Sequence, residues 1–406
     1  MLTADFDYDL PEELIAQQPA QTRDSCRLLV LDRTSAIISH RHFSDIADYL
    51  TPGDLLVANE TRVMPARLLG TREPGAGKAE VLLLRRVDTT LVSGAADGAG
   101  ASDVAEVSSV VGASDAVGAS DAVGAAGASS ARGCAAFTSQ DVELWEALVR
   151  PGRRLKPGAR ISFGPRSGGI SPLSASILDW LPQGERGLRL VRLEAAPGLT
   201  VAAVLHTLGQ VPLPPYITEF TGDDELYQTV YSRTERSAAA PTAGLHFTTE
   251  LLERLRLAGV DFATVELEVG LDTFRTIMEE HPEDHAIHTE RYHVSAETIA
   301  AIDQAHSRGG RIVAVGTTSV RALESAWDSD RECLLPRTGE QTSLYIMPGY
   351  RFHVVDALIT NFHVPRSTLL LLVSAFATPE LIRHAYDEGL ERRYRFLSFG
   401  DAMLIQ

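Results

Sequence analysis

Residues 311–315 (RIVAV) pass without a spacer into Gly316-Thr317-Thr318-Ser319 and then into an amphipathic segment, 320–327. A strand that runs through a glycine and hydroxyl residues into a helix is a βα unit. Its loop amides and hydroxyls gather at the carboxyl end of the strand, which suits a parallel sheet with ligands at that edge. Strand and helix signals alternate in this way over 197–406. Residues 1–66 add two apolar runs, 28–31 and 55–58, that read as buried strands, and a short helix signal at 11–18.

Between these parts the character changes. Short β-like runs at 80–84, 144–149, 160–163 and 188–193 are separated by Gly/Pro turns, the pattern of a small antiparallel barrel. With 406 residues, two domains are the natural expectation. The expected fold class is α/β: a layered α/β domain, discontinuous over 1–66 and 197–406, with an inserted small antiparallel β-barrel domain over 67–196. Residues 92–133 form a low-complexity insert in which GASDAV occurs at 112–117 and again at 118–123. Its small side chains bury too little apolar area to offset chain entropy, so it is expected to be a flexible loop without a functional role.

The net charge of −17 excludes a general nucleic-acid coat but not a local basic patch. One such run spans 150–166, where Arg150, Arg153, Arg154, Lys156, Arg160 and Arg166 occur without an acidic residue. A solvated loop is the competing reading. Cys26, Cys134 and Cys333 are far apart and form no CxxC pair, so free thiols are expected and no metal. His281, His285, His288 and His293 lack the HExxH pattern and read as an exposed polar loop. The N-terminus MLTADFDYDL lacks the basic start and apolar run of a signal peptide, and the apolar run at 367–377 is about half a bilayer span. A soluble, cytoplasmic protein is expected, without membrane association.

Four segments can carry chemistry. In 238–248 (AAAPTAGLHFT), Pro241 and Gly244 set the backbone path, Thr242 and loop amides can hold a polar ligand, and His246 can exchange a proton near neutral pH; a turn capping the next helix is the alternative. In 316–324 (GTTSVRALE), Gly316, Thr317 and Thr318 at a helix start present amides and hydroxyls to an anion, and Arg321 can pair with a carboxylate; an ordinary helix cap, with Arg321 paired to Glu324, is the alternative. In 348–368, Asn361 and His363 leave a buried strand and can recognise a base edge or orient a reacting group; a core histidine is the alternative. In 59–68, Asn59, Thr61 and Arg62 can form an anion-binding loop or simply connect a strand to the barrel. Neither a GxGxxG loop nor a P-loop is present, so no nucleotide prosthetic group is expected.

Together, FDYDLPEELIAQQPA (6–20), DLLVANETRVMPARL (54–68), LGQVPLPPYI (208–217), YQTVY (227–231), AAPTAGLHFT (239–248), VGTTSVRALES (315–325), PGYRFHVVDALITNFHVPRSTLLLLVSAFA (348–377) and YRFLSFGDAMLI (394–405) resemble the S-adenosylmethionine:tRNA ribosyltransferase-isomerases of queuosine biosynthesis, in that family's order. The chain departs at Glu60 and Val364, and at Glu268 and Asp272, where the family typically shows His and Gly. The loop after Tyr231 and the length of the insert differ as well.

The resemblance implies that S-adenosylmethionine is a co-substrate and tRNA the partner, with the ribosyl group ending on 7-aminomethyl-7-deazaguanine at the wobble position. It implies a monomer. Given the chemistry so implied, we expect proton transfer by His246 and His363, substrate binding by Asn59, Thr61, Arg62, Thr242, Gly244, Gly316, Thr317, Thr318, Arg321 and Asn361, and RNA contacts from Arg150, Arg153, Arg154 and Lys156, aided by Arg62, Arg67 and Arg395. Two other readings stay open: an S-adenosylmethionine-dependent RNA methyltransferase, and a catalytically inactive tRNA-binding module.

Overall fold

The computed structural model describes residues 1–75, 77–87, 141–165, 169–181, 188–270, 273 and 275–406. The expectation for the insert at 92–133 concerns residues outside this set, as do Cys134, Arg166 and Asp272. The chain forms two compact units, Met1–Met64 with Val211–Gln406, and Pro65–Gln210.

In chain order the strands of the first unit are β1 (Arg27–Leu31), β2 (Ile38–His42), β3 (Leu55–Asn59) and β4 (Thr61–Val63). The second unit contributes β5 (Arg67–Glu73), β6 (Lys78–Val87), β7 (Val142–Arg150), β8 (Arg160–Phe163), β9 (Leu173–Trp180), β10 (Leu188–Ala195) and helix α1 (Val201–Leu208). The first unit then resumes with β11 (Thr234–Ser237), α2 (Thr249–Leu257), β12 (Asp261–Leu267), β13 (Glu290–Val294), α3 (Ala296–Ser307), β14 (Ile312–Val315) and α4 (Thr317–Ala326). It ends with β15 (Trp327–Asp328), β16 (Cys333–Leu334), β17 (Arg337–Thr342), β18 (Ala357–Asn361), α5 (Thr368–Phe376), α6 (Pro379–Glu391) and β19 (Ala402–Ile405).

Among the described residues the first unit holds a nine-stranded sheet in the order β17-β13-β12-β3-β14-β18-β19-β1-β2. The sheet is mixed, not parallel throughout. Strands β12, β3, β14 and β18 run parallel, β19 turns antiparallel to β18, and both margins are antiparallel. Its central strands alternate between two buried layers. Leu29 and Leu31 of β1 and Ala314 of β14 pack with α4, α5 and α6, whereas Leu28, Val30, Val313 and Val315 pack with Phe43, Phe247 and α2. Burial on both faces is why these strands read as unbroken apolar runs. The run at 367–377 is the buried helix α5, with Leu371 and Val373 fully inside.

The helix signal at 11–18 resolves into one 3-10 turn, Glu12–Leu14, followed by extended chain. Gln17 explains the early stop: its side chain bonds the Tyr216 carbonyl and the Thr218 amide, tying the segment down as a strap.

The second unit is a closed antiparallel barrel, β10-β7-β6-β5-β8-β9. Strict alternation along β10 (iBiBiBiB in burial) marks the wall of a small barrel filled by side chains. Helix α1, placed by its sequence position with 197–406, groups with the barrel, because Val201, Val204 and Leu205 bury beside β10 and β5.

Candidate active site

The parallel strands β14 and β18 end side by side, and the chain leaving each forms the floor of a cleft. This is the edge at which parallel strands collect ligands. Gly316, at φ +90°, makes the tight exit from β14 that a Cβ would strain, and starts α4 at once. The first amides of α4 lack intrahelical acceptors and point their dipole into the cleft beside the Thr317 and Thr318 side chains. Thr318 is 8 % exposed and its Oγ1 is buried without a hydrogen-bond partner among the described residues, a donor and acceptor left for something in the cleft.

The opposite wall comes from the 3-10 turn Thr242–His246 and the end of β18. Thr242 Oγ1 donates to Asn361 Oδ1 at 3.0 Å. Asn361 Nδ2 donates to the Leu397 carbonyl at 3.2 Å, which sets the amide's orientation, and its other hydrogen meets His246 Nε2 at 3.1 Å. Nε2 is therefore the bare nitrogen, and the Nδ1 hydrogen faces Cys26 Sγ at 3.2 Å. Burial pushes the His246 pKa down to about 4, with Arg395 and Arg23 adding to it, and pushes the Cys26 thiol up. His246 does not line the cleft, so its link to it is Asn361.

His363 does line the cleft. Its Nε2 meets Thr360 Oγ1 at 2.8 Å, its backbone N–H donates to Tyr386 Oη at 2.8 Å, and its carbonyl accepts from Tyr8 Oη. Burial lowers its pKa to about 3, so the ring is neutral at physiological pH.

The other substrate candidates sit elsewhere. Asn59 and Thr61 are buried and both donate to the Leu267 carbonyl, locking β3 to the end of β12. Arg62 is paired with Glu225 and Glu235. Gly244 serves packing, since a Cβ there would lie 2.0 Å from Tyr231 Oη. Arg321 does not line the cleft. Its guanidinium is engaged by buried Glu290, and its Nε donates to the Leu344 carbonyl at 3.2 Å. Burial alone would raise the Glu290 pKa, but Arg321, His288 and the Gly270 amide hold it below the usual range. The suggested Arg321–Glu324 pair does not form: Glu324 accepts from the Val354 and Val355 amides, each near 3 Å (3.0 and 3.2 Å).

Arg67 pairs with Glu80 and Arg395 with Asp401. Arg150, Arg153, Arg154, Lys156 and Arg160 are exposed on the barrel and make no ion pair with a described residue. Of the clustered histidines, His285 pairs with Glu279 and His288 with Glu290. Thr273, Thr360 and Ser398 line the cleft and were missed in the sequence. Thr360 alone left a trace, as a polar residue inside the apolar run of β18. No described helix is long and apolar enough to cross a membrane.

A family model described as queuosine biosynthesis protein matches residues 3–405. This chain belongs to that family. A relative from Symbiobacterium thermophilum is 46% identical over 411 residues, spanning 100% of both chains, and one from Acetivibrio thermocellus is 44% identical over 406 residues with the same coverage. Both are named S-adenosylmethionine:tRNA ribosyltransferase-isomerase. A crystal structure of an S-adenosylmethionine tRNA ribosyltransferase from Thermotoga maritima is 34% identical, covers 99% of this chain and 100% of its own, and superposes with a TM-score of 0.46. The cleft between α4 and the 3-10 turn is built from segments that lie wholly within the matched span of the family.

Proposed function

We propose that this chain, as the name of its full-length relatives states of them, is an S-adenosylmethionine:tRNA ribosyltransferase-isomerase. In this reading it moves the ribosyl group of S-adenosylmethionine onto 7-aminomethyl-7-deazaguanine at the tRNA wobble position, giving epoxyqueuosine and releasing adenine and methionine in the cytoplasm. S-adenosylmethionine is a substrate here, and no prosthetic group is required.

The observation that carries the reading is the cleft with the α4 N-terminus on one wall and the Thr242–Asn361 pair and His363 on the other. The methionine carboxylate would lie against the Thr317 and Thr318 amides and the Thr318 hydroxyl. Glu290 neutralises Arg321, so the helix end rather than a guanidinium supplies the attraction. A sulfonium acidifies the neighbouring ribose C5′ protons, and His363, neutral and on the cleft wall, would accept one. Asn361 would orient the base, with His246 behind it. Asn59, Thr61 and Gly244 would serve the scaffold, and RNA would be held by Arg150, Arg153, Arg154 and Lys156.

The test is incubation of the purified protein with S-adenosylmethionine and tRNA carrying the aminomethyl precursor, followed by mass spectrometry. Epoxyqueuosine with adenine and methionine is the expected result. S-adenosylhomocysteine would instead indicate methyl transfer, and unchanged cofactor and tRNA would indicate a binding module.

A further inference from the structure

The barrel carries a surface that the cleft does not account for. Trp180, at the end of β9, is 48% exposed, although an indole usually buries its face. Across the strand pair stands Arg189 of β10, which is 1% exposed. Its guanidinium lies under the indole, with Cζ 3.4 Å from the ring centroid. One face of the ring is thus covered, and the other face and the edge supply the exposure.

The same guanidinium donates to the carbonyls of Leu188 (2.9 Å), Gly152 (3.2 Å) and Leu155 (3.3 Å). Gly152 and Leu155 belong to the loop that carries Arg153, Arg154 and Lys156. One buried arginine therefore holds an open aromatic face and a cationic loop in a set relation. No described carboxylate pairs with Arg189, so its charge adds to that of the loop.

Charge is distributed to match. Over 65–210 the chain has 15 Lys and Arg against 14 Asp and Glu, whereas the remainder has 22 against 40. The acidity of the protein lies outside the barrel unit, and a polyanion is repelled less by that unit than by the remainder of the chain taken as a whole.

We propose that Trp180 is a stacking platform for an unpaired RNA base whose flanking phosphates are held by Arg153, Arg154 and Lys156. This rests on the reading of tRNA as substrate and adds to it how an unpaired base would be held on the barrel, since a paired base has no free face to offer. Arg189 is a positioning residue that presents the indole and the loop together.

The test uses the full chain and a fluorescein-labelled RNA hairpin with an unpaired loop, titrated by anisotropy at several salt concentrations. Trp180→Ala should weaken binding by about tenfold or more, the size of one base–aromatic stack, with an unchanged salt slope. Trp180→Phe should retain most of the affinity, while the quenching of tryptophan emission by the hairpin that is expected of the native chain should be lost. Charge reversal at Arg153 and Arg154 should weaken binding and lower the salt slope by about 0.7 for each phosphate that is no longer neutralised. If Trp180→Ala binds like the native chain while charge reversal still weakens binding, the platform is overturned and the basic loop stands. If neither substitution changes affinity, the RNA reading of the barrel fails with it.

Discussion

Asn361 Nδ2 stands 3.1 Å from His246 Nε2 and 3.2 Å from the Leu397 carbonyl, so one amide joins the cleft wall to a histidine that never reaches the cleft. If the cleft is the reaction site, His246 is expected to act on turnover only through the orientation of Asn361. We expect His246→Ala and Asn361→Ala each to lower kcat/KM, and the double variant to lose little more than the worse single one, a coupling on the order of 1–3 kcal/mol. Additive losses in the four-way cycle would mean that His246 has its own contact with the reacting groups.

Both buried histidines make stability depend on pH. Burial lowers the pKa of His246 from 6.5 to about 4 and that of His363 to about 3, so both stay neutral in the fold while unfolded histidines protonate near 6.5. The unfolded state then binds more protons as pH falls, and stability, fully present above pH 6.5, is lost on the way to pH 4. His246→Gln should flatten that decline by an amount on the order of 3 kcal/mol at pH 4. Thermal melts of the two proteins from pH 4 to 7.5 would show parallel curves if His246 titrates normally.

Thr318 separates binding from folding. Its buried Oγ1 has no hydrogen-bond partner among the described residues, so Thr318→Val should leave the melting temperature unchanged or slightly raised. The same change should raise KM for S-adenosylmethionine by roughly tenfold to a hundredfold, as for a lost hydrogen bond to a charged group. Unchanged KM would move the carboxylate away from the α4 N-terminus.

The Glu290–Arg321 pair is expected to be structural. Both side chains are almost wholly buried, at 2% and 7% exposure, and removing one leaves the other charge unpaired. Glu290→Gln should cost about 3–5 kcal/mol in denaturant unfolding. Adding Arg321→Met should recover much of that loss, because no orphan charge then remains. A double variant less stable than Glu290→Gln would argue that Arg321 has a second essential partner.

Much of the scaffold was legible because local chemistry and tertiary burial agree. The run 311–315 became β14, and the glycine after it became the positive-φ exit that starts α4. The barrel's alternation showed in four of its strands; β5 and β9 escaped because Gly70 and the serines of β9 dilute their apolar signal. The segment 11–18 failed for another reason. Its helical composition is real, but the bonds that Gln17 makes to the 216–218 backbone oppose a helix, and a partner nearly 200 residues away has no local trace.

For the cleft, the sequence by itself determined which short segments would supply it, since strand ends, caps and a proline–glycine turn announce themselves through backbone requirements that are local. Only the tertiary structure decided which side chains in those segments face the cleft. Thr242, Thr318, Asn361 and His363 do; Asn59, Thr61 and Arg321 are spent on the scaffold, and His246 stands one residue behind the wall. The reason is that a buried polar group takes whichever partner the fold brings within hydrogen-bond distance, and those partners, Leu267 for Asn59 and Glu290 for Arg321, come from strands distant in the chain.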